Sequence, residues 1–491
     1  MHEGMIALAE IEATGIRVDE RRLDATTEMA KERMRRIEDK LRQDEVWEIW
    51  QRRFGTKANL HSDDQLRDVL YGEMKFPVTQ WTGDEEGEGQ PSVEIGALEK
   101  IDLHFLRGYQ ILSQLNKAHG TYLKRIKRTL VNGRFHPNYD LHTTVTYRSS
   151  SDFQNVPVRD PMQAELLRTN FIATDQNYVL VENDFKGAEV SIATCYHRDP
   201  VMISYLTDPT KDMHGDMSAQ IYFLKNEWVK KYGKNHRYGG KNRFVFPEFY
   251  GSYYKQCAPD LWEWMERAKL LGPDGRPLRE HLRANGIFEL GACDPKAKGG
   301  PLDGTFEKHI QEVEDDFWNN RFKVYSAWKK KWYEDYLEEG GFDTLTGFRI
   351  EGAFRRNQVI NYPVQGSAFH CLLWTLTRLN KLLRKHKMKS RVVMQVHDSM
   401  LGDVYIKELK QYLDLVHQVV NEDLRKAFKW IICPLEVEDE ICPPTGTWFH
   451  KYPFKWDGIE FGFTPKGKDD KVNTEDVEQF LEMLEHNMKP S

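Results

Sequence analysis

Two aspartates stand where apolar runs stop. Asp184 closes NYVLVENDF (177–185), and Asp398 interrupts RVVMQVHDSML (391–401) between His397 and Ser399. Their apolar and β-branched content reads both runs as strands, so each carboxylate ends or turns one. If the two strands pair, the carboxylates meet at one sheet edge, where they repel unless cations lie between them. Mg2+ binds through one or two carboxylates and keeps water and substrate phosphates as its other ligands. Two such ions about 3.5–4 Å apart stabilise the attacking and leaving oxygens of an in-line phosphoryl displacement. Two strand-end aspartates alone are more often caps or turn formers, so the neighbouring motifs decide.

Those neighbours are basic. DMHGDMS (212–218) carries His214, and RYGGKNRFVFPEFYG (237–251) sets Arg237 and Lys241 one helical turn apart on one face. Singly, each reads as a solvated face or a satisfied core histidine. Converging on one groove, a His, an Arg and a Lys make a triphosphate clamp. From Leu103 to Tyr139 there is no Asp or Glu, while Arg107, Lys117, Lys124, Arg125, Lys127, Arg128 and Arg134 all fall there. A third basic stretch, RFKVYSAWKKKW (321–332), interleaves cations with aromatics. The whole chain has a net charge of −6 and a pI near 6.3, which argues against indiscriminate polyanion binding. Confined basic stripes on an acidic protein suit a nucleic-acid channel.

The elements that position these groups follow from pattern. The 491 residues, 40% hydrophobic and 30% charged, suffice for a large core and several domains. No apolar run reaches 18 residues and the N-terminus lacks a signal-peptide pattern, so no membrane role is expected and a cytoplasmic location is. The six cysteines are scattered without C-x-x-C pairs, which predicts neither disulfides nor a zinc site. Helices are expected over 24–50, 104–131, 187–197, 364–386 and 407–428, and through most of 200–340. Within that last stretch LGPDGRPL (271–278) and GACDPKAKGGPLDG (291–304) break the helical pattern. Strands are expected at 177–185, 344–350 and 430–441, and a hairpin over 391–406. WTGDEEGEGQPS (81–92) reads as an acidic loop and the charged tail 465–491 as partly helical. The arrangement is α+β, with strands from distant segments flanking a helical insertion.

In this order the motifs resemble family A DNA polymerases of the bacterial DNA polymerase I type. DFKGAEVSIA (184–193) resembles motif A, DMH (212–214) the Asp-x-His before the fingers helix, RYGGKNRFVFPEFYG motif B and VHDS (396–399) motif C. TYRSSSDFQNVPV (146–158), INYPVQGSA (360–368) and ALAEIEATGIRVDERRL (7–23) are similar to further family segments. The resemblance implies a right-hand fold with an antiparallel palm sheet, helical fingers and a helical thumb. The expected parts are an N-terminal segment 1–23 packing on the palm, thumb 24–131, palm 132–198, fingers 199–340 with an insertion near 272–305, palm 341–453 and a tail 454–491.

It also implies DNA-directed DNA synthesis, with Asp184 and Asp398 holding two Mg2+ ions, for which Mn2+ can substitute. Lys241 would contact the triphosphate and protonate the leaving pyrophosphate, Arg237 and His214 would hold its outer phosphates, and Phe246 would pack under the sugar. Tyr250 would guard the template side and Glu189 select the sugar. Arg148, Asn361, Gln365 and His397 would touch the primer-template near the new pair, and Lys124 and Arg128 would contact DNA from the thumb. Primer-template DNA and dNTPs are the implied partners of a monomer in a bacterial or phage-infected cell. A separate exonuclease, helicase or clamp is a further class of partner, because the chain begins where the polymerase part does and is expected to lack 3'-5' exonuclease activity.

Several positions depart from the family pattern. Lys241 and Phe246 are separated by four residues instead of three, so with Pro247 a local bulge or shifted helix start is required, and either Lys241 or Arg243 makes the phosphate contact. Arg356 is one residue out of register, Gly187 replaces a common Gln, and Ser399 replaces the Glu that commonly follows the motif C Asp. That leaves two carboxylates, with Ser399 reaching at most a water. Competing readings are a single-subunit RNA polymerase, which Glu189 under the sugar opposes, a silent nucleic-acid-binding subunit, which intact Asp184 and Asp398 oppose, and a metal-dependent nuclease, for which the basic clamp has no use.

Overall fold

The apolar runs that end on the two aspartates lie side by side. Strands Tyr178–Phe185, Ser399–Tyr405 and Arg391–Val396 form one half of a six-stranded antiparallel sheet, continued on the other side by Val437–Ile441, Tyr452–Trp456 and Phe461–Phe463. The computed structural model describes residues 1–463 except 83–88, 152, 155, 157–159, 295–298, 444 and 457–460, with backbone alone for 461–463. Parts of the 81–92 loop, the 146–158 segment and the 272–305 insertion, and the expected helix in the tail, lie outside the described residues.

The central strand, burying nearly every residue, needs cover on both faces. Val179, Val181 and Phe185 face a core shared with the 30-residue helix Arg356–Lys385 and the helix Leu409–His417. The N-terminal helix His2–Thr14 joins that core through Ala7, Leu8 and Ile11, and Lys381 and Asn380 reach back to Glu3 and Glu10 at 2.9 and 3.1 Å. Leu180, Met394 and Leu401 face the opposite core, with Phe153 and Trp448 and with strands Ile16–Val18, Arg134–Phe135 and Phe171–Ile172 of a smaller four-stranded sheet.

Two helical bodies flank this sheet. One gathers Glu20–Leu41, Glu45–Phe54 and His104–Lys117 around Trp50, Phe105 and Tyr109. The expected single helix over 24–50 is therefore two, because the Asp44 side chain caps a new start by accepting from the Val46 N–H at 3.0 Å. The expected helix over 104–131 ends at Thr129 after a π-helical turn, and Leu130–Val131 are already strand. The second body, from Pro200 to Glu339, closes around Tyr222, Phe244, Phe306 and Phe317. The single strand expected at 344–350 is a hairpin of Gly341–Asp343 and Arg349–Glu351, turning at Thr344 and Gly347. Only Val437–Ile441 of the strand expected at 430–441 is extended in the sheet. None of the six cysteines is in a disulfide, and five are buried.

Candidate active site

Register brings the aspartates together. Asp184 pairs directly with Ser399, and His397 and Asp398 form the two-residue turn between Val396 and Ser399. His397 takes a φ of +52°, as such a tight turn demands of one of its residues. Asp398 is thus at the hairpin tip and not inside a strand. Its carbonyl accepts from the Phe185 N–H at 3.2 Å, fixing the tip against the end of the Asp184 strand. Both aspartates keep access to solvent there, although protein packs around Asp184. Partial burial in the surrounding protein, then the charges of Asp398 and Glu182, push Asp184 up to about 7. That is the electrostatic condition a divalent cation relieves. Among the described residues no three Asp, Glu, His or Cys side chains are grouped closely enough to hold an ion alone. Two carboxylates suffice for Mg2+, which completes its shell with water and phosphate.

The motif B helix accommodates its extra residue as a π-helical turn. Lys234–Gly240 is α-helical, Lys241–Val245 widens to π, and Phe246–Phe249 resumes the α-helix. One added residue in an i→i+5 turn restores the downstream register, and the wider turn also accepts Pro247, which lacks an N–H. The turn separates the two candidate cations. Lys241 Nζ lies 5.2 Å from the Phe246 ring centroid, whereas the Arg243 guanidinium lies 5.0 Å from the ring of Trp264. Lys241 therefore sides with the clamp and Arg243 does not.

His214 meets Phe246 edge-on at 5.6 Å between centroids, and Arg237 Nε donates to Asp212 at 2.7 Å. Burial, then Arg237 and Lys241, hold His214 down to about 4, and its Nδ1 is buried without a hydrogen-bond partner among the described residues. Burial and then Arg237 also lower Lys241. Two cations and an orphaned imidazole nitrogen so placed are suited to receive an anion. Lys241 in turn senses Glu438, which pairs with Asp184 across the sheet, so the clamp stands over the end of the carboxylate strands.

Glu189 and Tyr250 join the two sides of the cleft. The Tyr250 hydroxyl donates to the Glu189 carboxylate, and Arg148 Nη1 stands 4.0 Å from the other oxygen. Asn361 Nδ2 donates to the Tyr250 carbonyl at 3.4 Å. Glu189, Phe246, Tyr250, Asn361 and Gln365 line one cavity. Gly187 takes a φ of +57° at the start of the helix Ala188–His197, a conformation its side-chain-bearing counterpart would resist. Gly251 allows the chain after Tyr250 to approach Asn357, whose side chain would lie 2.5 Å from an added Cβ. Arg356, the residue out of register, is turned instead toward the ring of Tyr333, 5.8 Å away. Lys124 and Arg128 lie apart from this cleft, exposed on the helix Lys124–Thr129.

Glu182, Gln395 and Glu248 carry no sequence signal. Gln395 accepts from Ser149 Oγ and Gln154 Nε2 at 2.8 and 2.9 Å, tying the Arg148 segment to the motif C strand. Ser399 does not reach only a water, since its hydroxyl lies 3.2 Å from Glu182 Oε1. In the second helical body, buried Glu248 accepts from Trp318 Nε1 at 2.9 Å, close to Glu314 and Lys329. Burial and then Glu314 push Glu248 up to about 8, while burial brings Lys329 down to about 7. A buried carboxylate would have been legible only as a charge at an apolar helix position.

The model of DNA polymerase family A matches residues 23–269 and 318–444. Curated relatives include the thermostable DNA polymerase I of Thermus thermophilus, 26% identical over 451 residues, covering 88% of this chain and 46% of that protein. The DNA polymerase I of Lactococcus lactis subsp. cremoris is 24% identical over 90% of this chain and 44% of its own length. The DNA polymerase of Bacillus phage SP01 is 22% identical over 86% and 47%. The chain thus spans about half the length of the relatives it matches. Among solved structures, the POL domain of Pol1 from M. smegmatis, in complex with DNA primer-template and dNTP, aligns with a TM-score of 0.69 at 20% identity, over 92% of this chain and 70% of that one. The mixed α and β architecture, two helical bodies about an antiparallel sheet, is the right-hand fold.

Proposed function

The chain belongs to DNA polymerase family A, and from that premise we propose that it extends a DNA primer with dNTPs on a DNA template. The observation that carries the reading is the pairing of Asp184 with Ser399, which sets two aspartates with access to solvent at one sheet end below the Lys241 clamp. In this reading 132–198 and 341–453 are palm, 199–340 fingers and 24–131 thumb, with 1–23 packed on the palm. Mg2+ ions held by Asp184 and Asp398, or Mn2+ in their place, would supply Lewis acidity to the attacking and leaving oxygens.

The chain's own groups do the rest. Lys241, Arg237 and His214 bind the triphosphate, and Lys241, its proton loosened by burial and Arg237, is the group placed to protonate departing pyrophosphate. Positioning and charge neutralisation carry most of such a transfer. Phe246 holds the incoming sugar, and Glu189, anchored by Tyr250 and near Arg148, fills the space a 2'-hydroxyl would need. Asn361, Gln365, Arg148 and His397 face the nascent pair, where minor-groove acceptors are common to all base pairs and permit sequence-tolerant contact. Lys124 and Arg128 hold the duplex backbone from the thumb. Described residues contain no helix long and apolar enough to cross a membrane.

Primer extension with Mg2+ and four dNTPs tests the proposal. Wild type is expected to extend and Asp184→Asn to lose extension while still binding DNA. No extension by wild type, or unaltered extension by the variant, would reject the enzyme reading in favour of a DNA-binding subunit.

A further inference from the structure

Glu182 is a carboxylate that the mechanism above does not use. It lies two residues before Asp184, hence on the same face of the same strand, and is only 8% exposed. Burying a charge is costly unless donors surround it. Here Trp448 Nε1 and Lys451 Nζ donate to Oε2 at 2.7 and 2.6 Å, and Ser399 Oγ stands 3.2 Å from Oε1. Lys451 is shared with Glu440 at 2.5 Å, and the Arg168 guanidinium stacks 3.9 Å from the Trp448 ring. Two cations thus accompany two carboxylates, and the cluster leaves the charge of the aspartate pair uncancelled.

Geometry gives the cluster a task. Ser399 pairs with Asp184 and Leu401 with Glu182, so Ser399 and Glu182 are diagonal neighbours across two strands. Ser399 is also the first residue after the His397–Asp398 turn, and is 5% exposed. Its single proton is shared between Glu182 and the Val396 carbonyl, 3.0 Å away at the other end of the turn. We propose that Glu182 is a positioning residue for the aspartate pair. Through the Ser399 hydroxyl it ties the hairpin tip carrying Asp398 to the strand carrying Asp184, supplying from the neighbouring strand the carboxylate that the family commonly carries at 399. The serine is then no defect: a carboxylate at 399 would stand against Glu182, with one lysine already shared between two acids.

This inference rests on the polymerase reading and is tested by exchanging the two groups. Ser399→Glu is expected to lower single-turnover incorporation about tenfold or more, the scale of one hydrogen bond to a charged group together with a new like-charge contact. Glu182→Gln, and Ser399→Ala, which removes both bonds of the hydroxyl but no charge, are each expected to lower it about tenfold. Moving the carboxylate across the strands, in Glu182→Ser with Ser399→Glu, is expected to recover the rate to within about threefold of wild type. A second readout is Mn2+ binding to the full chain with primer-template, followed by electron paramagnetic resonance: the single variants weaken it and the exchange restores it. Backbone hydrogen exchange at 399–401, faster in Ser399→Ala, reports the tie without catalysis, whichever Glu182 variant folds. Wild-type activity in Ser399→Glu, losses in the exchange variant equal to the product of the singles, or unchanged hydrogen exchange in Ser399→Ala would overturn the inference. An inactive wild type whose Mn2+ and hydrogen-exchange readouts still follow the exchange would reject the polymerase reading and leave the positioning role standing.

Discussion

The π-helical turn in motif B makes a quantitative distinction between two cations two residues apart. Lys241 faces Phe246 and the clamp, in a setting dry enough to lower its proton affinity. At about 4 Å from a phosphate charge and an effective dielectric near 20, its attraction is about 4 kcal/mol before screening. Truncating a preorganised donor of this kind costs about 100- to 1000-fold in rate. Lys241→Ala is therefore expected to lower kcat/KM for dNTP incorporation by about two to three orders of magnitude, with a stability loss of about 1 kcal/mol or less from its contact with Phe246. Arg243 instead spends its charge on Trp264, and its Nε is buried without a hydrogen-bond partner among the described residues. Arg243→Ala is expected to cost about 0.5–2 kcal/mol of stability, the range of a cation–π contact, and to leave incorporation within about threefold. Single-turnover incorporation beside urea denaturation separates the two effects. A hundredfold catalytic loss in Arg243→Ala with near-normal Lys241→Ala would show that the bulge directs the other cation to the triphosphate.

Two further predictions address other parts of the molecule. Glu189→Ala opens the space under the sugar and frees Tyr250, so ribonucleotide incorporation relative to dNTP should rise by about tenfold or more, the scale of discrimination by one steric contact; an unchanged ratio would remove Glu189 from sugar selection. Burial works to lower His417, but Asp439, accepting from its Nε2 at 2.7 Å, raises it overall above its ordinary value. The protonated pair then stabilises the fold fully below about pH 6.5 and loses that contribution as pH rises through the raised value. Denaturation midpoints should fall more for His417→Gln at pH 6 than at pH 8.5, and equal falls would contradict the assignment.

The carboxylate hairpin was legible because apolar, β-branched runs on either side of a two-residue polar break have few other ways to fold. The bulge was legible as a count, four residues between Lys241 and Phe246 where three are usual, although only the geometry shows which cation follows it. The break after Leu41 was missed because Arg42 and Gln43 are good helix formers and the signal was a single capping Asp44. Glu182 carries no local signal within VLVEND, since its partners Trp448 and Lys451 are more than 260 residues away in the chain. The Glu248, Glu314 and Lys329 group was invisible for the same reason: helical periodicity reports which face is buried, not which charges meet there.

The polymerase site is tested most directly by a structure of the full chain bound to a dideoxy-terminated primer-template and the matching dNTP with Mg2+. Cations are expected between the Asp184 and Asp398 carboxylates and the α-phosphate, the outer phosphates on His214, Arg237 and Lys241, and the sugar between Phe246 and Glu189. A triphosphate bound away from Lys241, or cations that touch neither aspartate, would contradict this assignment.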